Sequence, residues 1–552
     1  MYIRNIYNRK GSRLVIQSLS SLLLILPASS ILPTSALCQT PVVGGLLNNY
    51  SFTSPGLPNY GIAQGSIFDI FGTNLSTTTT PLQNQPLQST LNGVTVNVGV
   101  SGTTTHPLIY FLSPTQIAAV LPSATPVGTG TVTVSNSAGT SAAFSIEVVE
   151  SAFGLLTLNN GSGPAGGFDA SNNNASLSVS AAANPGDILE LWGTGLGPVV
   201  GDATLAPVSA PIEVDIGGTP ATILYHGRSG YVGLDQINVQ VPAGVSGCNV
   251  SVAVVTGKYV SNFATLPVTA SGRTCTDPNS PVPPAAILDD IAKTGTYSLG
   301  IITVIGSATP GSVPTDAAAS NASATFARAP ASQLDSGSIG GTASIGSCSV
   351  TVSGRGTQTF DDTILNAGPN IYVDGPLGAV AMPYQQMDSD PGFYLTPYGG
   401  PAFVGVSGTV TFNNGSGGPD VGPFATSVQM PLVSTWTNFS QISTISRAGG
   451  LTLTWSGGDP NTYIGISGSS IVTVNGSSPQ TLGATFGCVA PVSAGTFTVP
   501  ASILMSLPPS GTASLAFLGL SNSVNSVSFS APGIDYSFVL LSVFQELNVV
   551  YQ

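Results

Sequence analysis

The chain has 552 residues, of which 42% are hydrophobic and only 6% charged, with 24 acidic against 11 basic side chains. An average soluble domain carries about 25% charged residues, so solubility here rests on neutral Ser, Thr, Asn and Gly. Basic residues beyond position 38 are scattered singly, which excludes nucleic acid as a partner, because counterion release needs clustered cations.

Residues 1–38 read as a secretion signal. Arg4, Arg9, Lys10 and Arg13 form a basic start, residues 14–32 supply an apolar stretch broken by Ser and Pro, and Thr34 and Ala36 suit a signal peptidase. The uninterrupted apolar runs are too short to span a bilayer, so no membrane span is expected after removal of the signal. Cys38 would fit a lipoprotein, but Leu37 before it is larger than that processing accepts. A secreted or cell-surface chain is expected. Beyond residue 38, seven basic against 24 acidic residues leave a net charge of −17.

An internal duplication organises the first half. GSIFDIFGTNL (65–75) aligns with GDILELWGTGL (186–196), and QIAAVLP (116–122) with QINVQVP (236–242), at offsets of 121 and 120 residues. Ordered motifs at one spacing mark a repeated domain. In each copy Ile, Val and Phe alternate with polar residues, as at Val94, Val96, Val98 and Val100 and at Ile212, Val214 and Ile216. That is the period of a strand with one face inward. Gly and Pro punctuate the runs at sandwich-like spacing. An immunoglobulin-like sandwich is predicted for 39–150 and a second for 151–275.

Four cysteines lie beyond the signal: Cys248, Cys275, Cys348 and Cys488. Three pairings are open, and the favoured one joins Cys248 to Cys275 and Cys348 to Cys488. No CxxC spacing is present and the chain has two histidines, so disulfides are expected and a metal site is not.

GSIFDIFGTNL, LIYFLSPTQIAAVLP, NPGDILELWGTGLGP and YVGLDQINVQVPAG, in that order over 42–275, resemble the Solibacter-type uncharacterised C-terminal domain family of secreted bacterial proteins, related in pattern to IPT/TIG immunoglobulin-like domains. His226-Gly-Arg departs from that pattern, where small or apolar residues are usual. CTDPN (275–279), LNAGPNIYVDGP (365–376), GGPDVGPF (417–424), ISRAGGLTLTWSGGDPN (445–461) and FGCVAPVSAGTFTVP (486–500) resemble the β-rich region that often follows the pair. The resemblance implies architecture and carries no established activity.

Residues 276–284, rich in Pro, Asn and Ser, form a linker. AAILDDIAK (285–293), with Gly295 beyond its end, is the one short helix expected. Short β-branched and aromatic runs then follow to the C-terminus, predicting one or two further sandwiches within 285–552. Trp436 and Trp455 are expected to anchor cores. The fold class expected is all-β: tandem immunoglobulin-like sandwiches and a larger sandwich region.

Catalytic signals are sparse. His106 and His226 occupy non-matching places in the repeats, no G-x-S-x-G elbow occurs, and Lys258 and Lys293 lack an S-x-x-K motif. Asp361, Asp362, Asp388, Asp390, Glu190, Asp215 and Asp235 are carboxylates of the type a glycosidase pairs, but nothing in the sequence brings two together. Asp69, Glu190 and Asp235 are expected to face solvent as alternation partners in strands. Asp361-Asp362, Asp388-Ser-Asp390 and Asn413-Asn414 offer oxygens for structural calcium without matching a calcium motif. No catalytic residue, cofactor or metal ligand is assigned, and the chain is not expected to be an enzyme. A structural, adhesive or binding role is expected, with an extracellular glycan or protein as partner and loops 76–81, 101–106 and 159–174 as binding places. The alternatives are a secreted carbohydrate-active hydrolase with its carboxylates in 285–552, and a self-associating surface or filament subunit, because low charge weakens protection of sheet edges.

Overall fold

The computed structural model describes residues 39–275, 285–311, 319–330, 343–352, 363–385, 392–397, 402–404, 408–430, 432–474, 480–511, 515–523 and 526–552. Residues 1–38 and 276–284, expected to be a secretion signal and a linker, and the acidic residues Asp361, Asp362, Asp388 and Asp390 lie outside them. Strand accounts for 54% of the described residues and helix for 5%, so the fold is all-β.

In the first repeat a four-stranded and a seven-stranded sheet share one core. Phe68 and Ile70 enter it from one sheet, Val94, Val96 and Val98 from the other. The strand Val94–Val100 alternates buried and half-buried residues without a break, as the sequence pattern dictates. The second repeat is built alike: Leu189, Leu191, Ile237 and Val239 face Val214, Ile216, Val250 and Val252. Strand register is shared as well. Phe71 lies opposite Gln116 in the first repeat, and Trp192 lies opposite Gln236 in the second.

From residue 285 onward, one 14-stranded sheet runs through two cores. Its first strand, Thr296–Ala308, pairs in parallel with Tyr536–Asn548 near the far end of the sequence. One core gathers Phe326, Tyr394 and Phe412; the other contains Trp436, Trp455 and Tyr551. Trp436 Nε1 donates to Asn438 Oδ1 (3.0 Å) and Trp455 Nε1 to the Val492 carbonyl (2.8 Å), so both rings are buried with their one polar atom satisfied. Ala253, Val260 and Phe263 of the second repeat pack into this same core, which joins the repeat to the C-terminal region.

The helix Ala285–Thr294 forms where expected, with Ile291 buried against Tyr297 and Phe538. A second, Ala501–Met505, was not anticipated: it begins after Pro500, whose fixed φ suits a helix entry, and buries Ile503 and Leu504. Two disulfides close, Cys248–Cys275 and Cys348–Cys488. The second joins residues directly opposite each other in the ladder between Cys348–Val352 and Gln480–Pro491.

Candidate functional site

Among the described residues, two of the places where polar groups converge concern more than one part of the chain, one sealed and one open. The sealed place lies between the repeats. Arg228 and Asp235 face each other in register on adjacent strands and form an ion pair that is 2% and 0% exposed. Arg228 Nη2 also donates to the carbonyls of Gly65 (3.1 Å) and Gly197 (2.9 Å), while Asp235 Oδ2 accepts from the Gly195 and Leu196 N–H groups at 2.8 and 2.9 Å. Burial pushes the Asp235 carboxyl up, and Arg228 with the two N–H groups pulls it back. Around the pair, Thr194 accepts from the Ile67 N–H and donates to the Gly233 carbonyl, and Ser123 N donates to Asp202 Oδ1. Gly65 has φ +71°, and a Cβ there would collide with the Arg228 guanidinium, so only glycine fits.

This corrects the solvent-facing assignment of Asp235, and that of Asp69. Asp69 is fully buried, accepting from Asn49 Nδ2 (2.9 Å) and Gln116 Nε2 (3.0 Å). Burial raises it to about 6, against the two amides that favour the carboxylate. The outer face of its sheet is covered by Leu87 and by Val232 of the second repeat, which the strand pattern does not reveal. Glu190 is half-buried, and Asp215 is half-buried in the strand Ile212–Ile216, where it accepts from the Gly218 N–H of the following turn at 2.8 Å.

The other candidates are placed apart. His106 is exposed, with Nδ1 2.8 Å from Asn97 Oδ1. His226 is half-buried and burial lowers its pKa; its Nδ1 has no hydrogen-bond partner among the described residues. Lys293 pairs with Asp290 on the helix surface. Asn414 is buried with its amide used structurally: Nδ2 donates to the Ala367 and Gly422 carbonyls, and Oδ1 accepts from the Phe424 N–H. Its oxygen is therefore not offered to a cation, and among the described residues no three acidic, His or Cys side chains converge. Of the three loops expected to bind, 101–106 is largely the strand Thr103–Thr105, and 159–174 is mostly ladder and a short turn.

A second acidic cluster escaped sequence reasoning. Arg273 Nη1 lies 2.8 Å from Asp169 Oδ2 and 2.5 Å from Asp187 Oδ2, two residues before Cys275. Burial raises Asp169; Asp187, despite its own burial, is lowered by the Asn184 N–H and Arg273. The guanidinium bridges both carboxylates, which also lie against each other, and the three side chains clamp the end of the repeat.

The open place is a cleft of about 470 Å³ where both repeats and the C-terminal region meet. The turn carrying Leu57 and Tyr60, with Glu147, comes from the first repeat; Lys258 and Tyr259 come from a hairpin tip of the second; Arg447 comes from the C-terminal region. Asn59 binds the three parts together: Oδ1 accepts from the Val260 N–H (3.1 Å), and Nδ2 donates to Ser506 Oγ (3.4 Å). Its φ of +67° is a left-handed conformation that Asn tolerates. Arg447 Nη1 donates to the Met505 and Leu507 carbonyls at 3.3 and 2.7 Å, and burial lowers its pKa. Lys258 Nζ sits 5.2 Å from the Tyr259 ring centroid. Single cations in the sequence gave no sign that these two would share one cavity.

No family model matches the chain, and no curated protein matches it. Among solved structures, the plexin A4 extracellular region is similar at 11% identity and a TM-score of 0.17, covering 86% of this chain and 31% of its own. A tetra-tandem repeat from the extending region of a large adhesion protein is similar at 13% identity and TM-score 0.14, covering 90% of this chain and 97% of its own. An S-layer protein is similar at 9% identity and TM-score 0.17, covering 92% and 54%. The chain thus spans less than two thirds of the plexin and S-layer chains. Likeness at these scores carries no argument about function.

Proposed function

We propose that this is an exported, non-catalytic structural or binding protein whose immunoglobulin-like repeats and β-rich C-terminal region form one extracellular or cell-surface unit. The observation that carries this reading is how the described acids of the repeats are used. Asp69, Asp169, Asp187 and Asp235 are each tied to an amide, a backbone N–H or an arginine, which is how carboxylates that fix structure are held. The ordered motifs of 42–275 support grouping this region with the secreted tandem modules it resembles, related to IPT/TIG domains. Both disulfides suit an oxidising compartment.

Incubating the exported chain with a panel of plant, bacterial and algal polysaccharides, and measuring new reducing ends beside retention on the same insoluble glycans, tests the reading. Retention without bond cleavage is expected. Sugar release that disappears on replacing one carboxylate by its amide would assign the chain to the hydrolases instead.

A further inference from the structure

We propose that the three-way cleft binds the carboxylate of an acidic saccharide, with Lys258 and Arg447 as the recognising cations. This rests on the non-catalytic binding reading and names the ligand class for it. Six of the cations beyond residue 38 are described: Arg228, Lys258, Arg273, Lys293, Arg328 and Arg447. Three are neutralised by carboxylates, Arg228 by Asp235, Arg273 by Asp169 and Asp187, and Lys293 by Asp290. Of the three without a carboxylate partner among the described residues, two line the same cavity. In a chain this poor in positive charge, that coincidence is the central observation.

The chemistry of the cleft fits the class. Its volume lies within the range of small-molecule sites. Arg447 is held by two backbone carbonyls through Nη1, so its guanidinium is oriented before a ligand arrives and loses little freedom on binding. Lys258 is exposed at a hairpin tip and supplies a mobile point charge. Tyr60 and Tyr259, both half-buried, add aromatic surface for the non-polar face of a sugar ring. Most of the lining comes from turns, a hairpin tip and a helix end, so the cleft does not present an extended peptide with the strand edge that one common mode of peptide recognition pairs with. The chain's overall negative charge does not forbid an anion here, because at physiological ionic strength fields are screened within about 8 Å and the nearest charges decide. Glu147 is the one acid lining the cleft, and it opposes such a ligand.

Isothermal titration of the exported full-length chain with tri-galacturonate, with a neutral trisaccharide and with tri-glutamate as controls, tests the proposal. Tri-galacturonate is expected to bind, more weakly as salt rises, and neither control to match it. Lys258→Glu, an exposed change that leaves the fold intact by circular dichroism, is expected to lower affinity by about tenfold or more, the effect of losing one charge-assisted contact. Glu147→Gln is expected to raise affinity. Absence of binding, or binding that neither variant alters, overturns the proposal, and equal binding of tri-glutamate overturns the saccharide class. Chromatography of the titrated sugar separates the two readings: cleaved product overturns the non-catalytic reading, while the responses to Lys258→Glu and Glu147→Gln still judge the cleft.

Discussion

In the first repeat the acidic side chain in the middle of the motif strand, Asp69, is sealed beneath Leu87 and Val232 and held by two amides. At the equivalent place in the second repeat Glu190 lies opposite Asn238 and stays half-buried. The glutamine that reaches Asp69 in one copy, Gln116, has its counterpart Gln236 turned to Asn238 in the other. Two copies of one motif, in one register, thus give the same position opposite environments. The difference is tertiary: the second repeat lays its 229–233 turn on the outer face of the first repeat's sheet. Gly233 marks the contact, since its φ is +77° and a Cβ would press on Ile67 and Val120.

The largest way to break this asymmetry is Arg228→Ala. It leaves Asp235 charged and buried between the repeats, and a loss of about 3–5 kcal/mol is expected. Hydrogen exchange should show protection falling on both sides of the junction; loss confined to the second repeat would mean the repeats are stabilised independently. Next comes replacing Cys248 and Cys275 by Ser. Removing a crosslink over a sequence separation of 27 is expected to cost about 3–4 kcal/mol in loop entropy, felt in the second repeat, whose partner has no disulfide. Urea unfolding followed by the same exchange probes reads the effect and its location.

A smaller effect is expected from pH. Asp69 is raised to about 6 in the folded chain, above its unfolded value, so the folded state holds the extra proton. Its contribution is fully present below about pH 4 and lost as pH rises through 6, amounting to about 2 kcal/mol between pH 4 and 7. Asp69→Asn should flatten that part of the stability profile in urea titrations; parallel profiles for wild type and Asp69→Asn would refute the assignment. Smallest is Asn59→Ala, which removes one hydrogen bond to each of two neighbouring parts and is expected to cost about 1–2 kcal/mol by thermal melting. A neutral result would show that the three parts hold together through their apolar cores alone.

Much of this architecture was legible in the residues. Alternation at Val94–Val100 and Ile212–Ile216 marked strands, the 120-residue offset marked the duplication, and Cys348 and Cys488 pair as favoured. Such features are local or repeat in sequence. The buried ion pair was half-visible: Arg228 stood out in His226-Gly-Arg, seven residues before Asp235, and a tight hairpin there would have set them opposite each other. Burial of Asp69 and Asp235 was not readable, because strand alternation reports which face a residue takes and not whether another domain covers that face. The cleft was hidden for the same reason, since Tyr60, Lys258 and Arg447 meet only after three parts of the chain assemble.

The parallel ladder between Thr296–Ala308 and Tyr536–Asn548 also dictates a timetable. A chain delivered from its N-terminus must wait for residues more than two hundred positions downstream before the middle of its largest sheet can close, and such non-local pairing is slow. The two repeats, each made of neighbouring segments, can collapse first and give the later strands a surface to assemble on, with Phe263 and Val260 already presented. Until the last long strand arrives, the growing sheet is exposed to mispairing, and a chain truncated before residue 536 should be soluble in its first half and aggregation-prone in its second.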